Sequence, residues 1–107
     1  MSRKVTFLPE ARTEIGDSHA QYEAIQRGLG RRFRAAVRDR IALLKKSPLI
    51  HQIVHPPDVR RALVPEFPYA IIYRVVAGGI EVISIFHMSR NPAVWQQRAD
   101  DAGNGST

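Results

Sequence analysis

The stretch that decides the fold is residues 59–98, VRRALVPEFPYAIIYRVVAGGIEVISIFHMSRNPAVWQQR. It predicts three consecutive strands, because a partly alternating segment at 59–64 precedes two β-branched, apolar segments at 69–76 and 80–86. A glycine pair before the last segment is typical of a hairpin turn. The two apolar strands carry too few polar residues to be solvated on both faces, so we expect them at the centre of a sheet.

Two helices precede this stretch. Pro9 suits a first helical turn, and apolar residues recur at helical spacing from Ala11 to Ile25. After the glycines at 28 and 30, a second apolar stripe runs from Leu29 to the Ser47-Pro48 stop. With a short strand at 5–8 and a proline-containing loop at 48–58, the predicted architecture is βααβββ. This is an α+β fold with a helical hairpin packed on one face of a mostly antiparallel sheet.

Length and composition favour one domain at residues 1–98, followed by a small, polar tail at 99–107 that we expect to be disordered. No apolar segment approaches the roughly 20 residues of a membrane span, and no secretory signal is recognised. The chain has no cysteine, which fits a reducing compartment. We therefore expect a cytoplasmic protein without a membrane partner.

Positive charge is concentrated in the second helix. The chain carries 16 Lys and Arg and a net charge of +6; half of these cations lie between residues 27 and 46, against one acid, Asp39. A basic helix face of Arg31, Arg34 and Arg38 is predicted. Such a face is either simply solvated or attracts a polyanion, which charge alone does not identify as nucleic acid or acidic protein.

Several short phrases follow one another along the chain in a characteristic order. They are Val5-Thr6-Phe7, Pro9-Glu10-Ala11, Tyr22-Glu23, Gly28-Leu29-Gly30 with Phe33, Val59-Arg60-Arg61, Phe67-Pro68-Tyr69-Ala70-Ile71-Ile72-Tyr73, and His87 with Arg90-Asn91-Pro92, Trp95 and Arg98. Over residues 4–98 they resemble the ParE branch of the RelE/ParE family of bacterial type II toxins. The fold that this resemblance implies, βααβββ, agrees with the architecture predicted from the residues.

The resemblance implies a growth-inhibiting toxin that is neutralised by a cognate antitoxin. Antitoxins of this family wrap the toxin with a C-terminal segment that is often acidic, so a hetero-oligomer is expected. ParE-like members poison DNA gyrase by binding, which implies no cofactor and no catalytic residue. RelE-like members share the fold but cut messenger RNA on the ribosome.

The sequence departs from the RelE pattern at two positions. RelE-like sequences tend to carry an arginine directly after the Tyr that opens the central strand, where this chain has Ala70. Near the C-terminal end this chain has Trp95 at about the position of a Tyr, and an indole N–H does not titrate as a general acid does. The set of side chains for RNA cleavage is therefore incomplete.

His87 is the residue on which catalysis would depend. Arg90 follows it closely, and Arg60 or Arg61 could reach it from the neighbouring strand, which is the minimum for cleavage through the ribose 2′-OH. The alternatives are that His87 caps the strand end or contacts a target. Arg60 and Arg61 point to opposite faces of a regular strand, so at most one of them joins a given surface.

Trp95 has two interpretations: it packs back onto the sheet, or it anchors an antitoxin or target, with Arg90 and Arg98 at the rim of that interface. His51 and His55 have helical metal-ligand spacing, but the nearby prolines disfavour a helix, so no metal site is predicted. Three functions stay open: a ParE-like gyrase inhibitor, a RelE-like mRNA endonuclease, or a non-toxic basic nucleic-acid-binding module.

Overall fold

The computed structural model describes residues 3–104 as three helices and a five-stranded sheet. In chain order the elements are β1 Lys4–Phe7, α1 Pro9–Ile25, α2 Leu29–Lys46, β2 Ile53–His55, β3 Val59–Leu63, β4 Tyr69–Val76, β5 Gly79–His87 and α3 Ala93–Asn104. The strand order is β1-β5-β4-β3-β2. The β1 strand is parallel to β5, and every other neighbouring pair is antiparallel. The predicted α+β architecture is confirmed.

The α1–α2 hairpin covers one face of the sheet and forms the larger core. Phe33 and Leu44 of α2 are fully buried there. The Phe33 ring lies 4.9–5.3 Å, centroid to centroid, from the rings of Tyr22, Phe67 and Tyr69. Such tilted and edge-on aromatic contacts add to the stabilisation that burial provides.

The link between the two helices depends on a glycine and a carboxylate. A Cβ at Gly30 would lie 2.5 Å from the carbonyl oxygen of His19, so the close approach of α2 to α1 requires glycine. The Glu23 carboxylate accepts hydrogen bonds from the backbone N–H groups of Gly28, Gly30 and Arg31. These bonds lower the pKa of Glu23, since they stabilise its charged form at the start of α2.

The opposite face of the sheet is covered by α3. Trp95 and Ala99 of this helix pack with Ala70, Ile72 and Ile83 in a second, smaller core.

Two predictions need correction at this point. Residues 99–104 belong to α3, and Ala99 is fully buried, so the ordered domain does not end at residue 98; residues 105–107 of the predicted tail lie outside the described part of the chain. The predicted loop at 48–58 contains β2, which pairs with β3. This strand was missed because three residues between prolines are too few for a periodic signal.

Candidate functional site

His87 ends β5 and lies on the hairpin side of the sheet. Its ring contacts the ring of Tyr69 edge-on, with centroids 5.0 Å apart. Its Nδ1 is 2.7 Å from the Ser89 hydroxyl oxygen and 3.2 Å from the Ser89 backbone nitrogen, which donates to it. The ring therefore makes the strand-end cap that was one of its three interpretations.

The arginines of β3 do not converge on His87. Arg60 pairs in register with Tyr73, and its guanidinium donates to the carbonyl oxygens of Leu49 and His51 at 3.0 and 2.6 Å. Arg61 is exposed on the opposite face of the strand, as the alternation predicts. Among the candidates, Arg90 alone lines a cavity together with His87, between α1 and the end of β5.

Arg61 and Arg90 do meet at a shallow pocket on the α3 side of the sheet. The residues that line this pocket are Arg61, Ala70, Ile72, Phe86, Met88, Arg90, Pro92 and Trp95. Its floor is apolar, and Ala70 at its base is fully buried. The pocket therefore offers two cations over an apolar floor and brings no titratable acid or base to the position of Ala70.

Trp95 is a wall of this pocket and is not an exposed anchor. Its side chain is 4% exposed and packs edge-on against His55 and Phe86, with centroids 5.8 and 6.3 Å away. The indole Nε1 has no hydrogen-bond partner among residues 3–104. Of its two interpretations, packing onto the sheet is the arrangement observed; contact with an antitoxin or target through the pocket that Trp95 lines stays a prediction.

The Arg98 side chain is also largely buried. Its guanidinium makes two hydrogen bonds of 3.1 Å to the Glu14 carboxylate and one of 3.0 Å to the carbonyl oxygen of Ile83. The Arg98 side chain is only 13% exposed. It ties α3 to α1 and β5, and its place at the rim of an interface stays a prediction.

The basic face of α2 borders a groove between β1, α1 and α2. The apolar residues of this groove are Val5, Phe7, Ile15, Val37, Ile41 and Ala42, and its cations are Arg12, Arg34, Arg38 and Lys45. Of the predicted basic face, Arg34 and Arg38 line the groove, and Arg31 does not. We call this surface the cationic groove.

Sequence reasoning missed Arg12 and the contribution of β1 to the groove. The Arg12 guanidinium lies 5.0 Å from the centre of the Phe7 ring, a cation–π distance that fixes one wall. The available signal was the position of Arg12 on the first turn of α1, directly after the strand that carries Phe7.

The two histidines with metal-ligand spacing have separate environments. His55 Nε2 lies 2.8 Å from a carboxylate oxygen of Asp100, whereas the His51 ring lies edge-on to Tyr73. Burial lowers the pKa of His51, and the nearby guanidiniums of Arg40 and Arg60 lower it further. Within residues 3–104, no three potential metal ligands of the His, Cys, Asp or Glu type come together.

Comparison with known proteins identifies the family. Residues 5–92 match the family described as ParE toxin of type II toxin-antitoxin system, parDE. This chain belongs to the ParE toxin family. A search of curated protein sequences finds no significant match. In the described part of this ParE-family chain, no helix is long and apolar enough to cross a membrane.

Two solved structures share the fold. A chain of the chromosomal ParDE toxin–antitoxin system from P. aeruginosa superposes with a TM-score of 0.69 at 13% identity, covering 80% of this chain and 96% of that one. A mutant of E. coli toxin RelE in the free state superposes with a TM-score of 0.66 at 18% identity, covering 97% of both chains. At these identities the likeness establishes a common fold, and function has to be argued from the side chains of the site.

Proposed function

We propose that this ParE-family toxin inhibits growth by binding DNA gyrase, and that a cognate antitoxin neutralises it. The observation that carries the proposal is that His87 is separated from Arg60 and Arg61, so that Arg90 is the one candidate arginine left beside it. The Arg60 guanidinium is held by two backbone carbonyl groups, and the His87 ring lies against Tyr69 on the other side of the sheet from Arg61.

The pocket on the α3 side supports binding in preference to chemistry. RNA cleavage through the ribose 2′-OH needs a group that moves a proton, and this pocket has Ala70 and the non-titrating Trp95 where RelE-like sequences tend to have an arginine and a tyrosine. Arg61 and Arg90 are both exposed beside its apolar floor. Arginine beside apolar surface is the composition typical of protein interfaces.

The gyrase proposal is tested with purified chain and the gyrase of the same host. We expect inhibition of supercoiling with accumulation of cleaved DNA, reversed on titration with the antitoxin. Folded chain that binds antitoxin and leaves gyrase unaffected would contradict the proposal. Cleavage of ribosome-bound mRNA by that preparation, abolished by His87→Ala, would establish the endonuclease instead.

The cationic groove fits the antitoxin. Its apolar floor suits the apolar side of an amphipathic segment, and the four surrounding cations suit acidic residues on the same segment. Arg34 and Arg38 are exposed at this groove, whereas Arg31 is exposed on the same helix outside it.

Two charge reversals on α2 form a matched test of this docking. Arg38→Glu places a negative charge in the groove, so we expect antitoxin affinity to fall by about tenfold or more. Arg31→Glu makes the same change of net charge outside the groove and is expected to alter affinity by less than about threefold. Equal losses for the two variants would indicate attraction to overall charge, and the groove assignment would then fail.

A further inference from the structure

A cluster of exposed aliphatic side chains lies at the end of the molecule where α2 passes into β2. Its members are Leu43, Leu49, Ile50 and Ile53, which are 52%, 63%, 75% and 45% exposed. We call this cluster the aliphatic patch. Within residues 3–104, the segment 43–53 holds four of the nine large hydrophobic side chains that are exposed. Exposed apolar groups concentrated in this way mark interaction sites, whereas scattered ones need no explanation.

The backbone beneath the patch is held in place. The Arg60 guanidinium binds the carbonyl oxygens of Leu49 and His51, and the Tyr73 hydroxyl donates to the carbonyl oxygen of Pro48 at 2.6 Å. Tyr73 is fully buried, so its bond ties the loop to the core of the sheet. A surface whose apolar side chains are exposed on a fixed backbone loses little conformational entropy on binding.

The surroundings of the patch are cationic. On the flank of α2 that carries Leu43, the neighbouring charged residues are Arg40, Lys46 and Asp39, and Asp39 is paired with Arg38 at 3.5 Å. In the described part of the chain, neither Arg40 nor Arg60 forms a salt bridge. An acidic surface would supply the missing counter-charge.

The patch is separate from the cationic groove. Side chains two residues apart on a helix point about 160° away from each other, so Leu43 lies on the opposite flank of α2 from Ile41 and Lys45, which line the groove. A segment seated in the groove therefore does not occupy the patch.

From these observations we infer that the aliphatic patch is the surface through which the toxin docks on its protein target, at an acidic site with apolar side chains. This inference rests on the proposed function, since it names the contact surface of the target. A nucleic acid fits less well because the patch has no aromatic side chain for a base to stack on. A membrane fits less well because only Leu43 of the patch lies on a helix, and the other three side chains lie in a loop and on an edge strand.

Two isoleucines of nearly equal exposure give a matched test. Ile50→Asp changes the centre of the patch, and Ile25→Asp makes the same change at the end of α1, where Ile25 is 74% exposed. Each full-length variant is expressed in cells to measure growth inhibition and purified to measure gyrase inhibition and antitoxin affinity. We expect Ile50→Asp to lose growth inhibition and to need at least about tenfold more protein for gyrase inhibition, because it removes an apolar contact and repels an acidic partner. Ile25→Asp should match the wild type, and both variants should keep wild-type antitoxin affinity.

A third variant, Ile50→Lys, tests the charge of the partner. It removes the same apolar contact and adds an attraction to an acidic site, so it should inhibit more strongly than Ile50→Asp. If the lysine variant were the weaker inhibitor, the partner would not be acidic and the inference would fail.

The possible outcomes separate the inference from the proposed function. Equal growth inhibition by the Ile50 and Ile25 variants overturns the inference and leaves the gyrase proposal standing. A wild type that stops growth without affecting gyrase overturns the gyrase proposal, and the growth comparison still decides the patch. A wild type that leaves growth unaffected overturns both. A wild-type dimer in analytical ultracentrifugation that Ile50→Asp dissociates would assign the patch to a second copy of the chain, against the inference.

Discussion

The two faces of the sheet are covered in different ways. On the hairpin face, Phe33 and its aromatic neighbours fill a continuous apolar core between the sheet and two long helices. On the other face, α3 contributes Trp95 and Ala99 to a small core, and charged side chains make the remaining ties.

The polar contacts of α3 are made with three other elements, α1, β2 and β4. Arg98 of α3 pairs with Glu14 of α1, Asp100 of α3 lies beside His55 of β2, and Arg74 of β4 donates to the carbonyl oxygen of Ala99 at 3.1 Å. Apolar burial is insensitive to charge state, whereas ion pairs weaken with salt and with loss of either charge. The comparison therefore predicts that α3 separates from the sheet more readily than the hairpin does.

The largest loss of stability is expected from Phe33→Ala. The ring is fully buried and contacts three other aromatic rings, so its removal leaves a cavity in the hairpin core. We expect the free energy of unfolding, measured by denaturant titration, to fall by about 3–5 kcal/mol. Leu43→Ala on the same helix is the control, because Leu43 is 52% exposed and should change stability by less than about 1 kcal/mol. Similar losses for the two variants would contradict the assignment of the larger core to this face.

The next largest effect is expected from Arg98→Met. It leaves the Glu14 carboxylate, whose side chain is 23% exposed, without its cationic partner. Loss of hydrogen bonds to a charged group costs about 1.5–3 kcal/mol. Hydrogen exchange should show the loss mainly in α3, with the amides of α2 still protected; uniform loss of protection would mean that α3 and the hairpin unfold together. Arg90→Met, at an exposed arginine, should leave exchange unchanged.

The same contrast explains how much of the fold the sequence could predict. The hairpin and the central strands follow from local signals, namely the proline at 9, the glycines at 28 and 30, the stop at 47–48, and apolar periodicity. These signals act within a few residues, so one sequence is sufficient to find them.

The α3 face depends on contacts that no local pattern encodes. Arg98 is held by Glu14, 84 residues earlier, and the local sequence left two arrangements of Trp95 open and did not indicate that Arg98 would be buried. The candidate site was affected in the same way, because the separation of His87 from Arg60 depends on strand register and on the loop carbonyls that bind Arg60. Among the contact candidates, the placement of Arg60 and Arg61 on opposite faces followed from strand alternation alone.

A pH dependence is expected from His51, at the edge of the hairpin core. Its pKa is lowered in the folded chain, first by burial and then by Arg40 and Arg60, so the unfolded chain binds a proton more readily. The free energy of unfolding should therefore fall as the pH drops below about 6.5, the ordinary value for histidine. His51→Gln should reduce this slope between pH 7 and 5, as measured by denaturant titration at each pH. An unchanged slope would show that other groups cause the acid sensitivity.

The smallest effect is expected from Asp100→Asn, at the other polar tie of α3. Asp100 is 52% exposed, and the asparagine oxygen can still accept a hydrogen bond from His55, so only the charge contribution is lost. Exposed ion pairs contribute about 0–1 kcal/mol, and salt screens them. Thermal unfolding in low salt should show a small decrease in stability that disappears at about 1 M salt. If Asp100→Asn instead released α3 as strongly as Arg98→Met, the degree of burial would not determine how much each ion pair contributes to stability. The buried Arg98–Glu14 pair would then not be the main attachment of the helix.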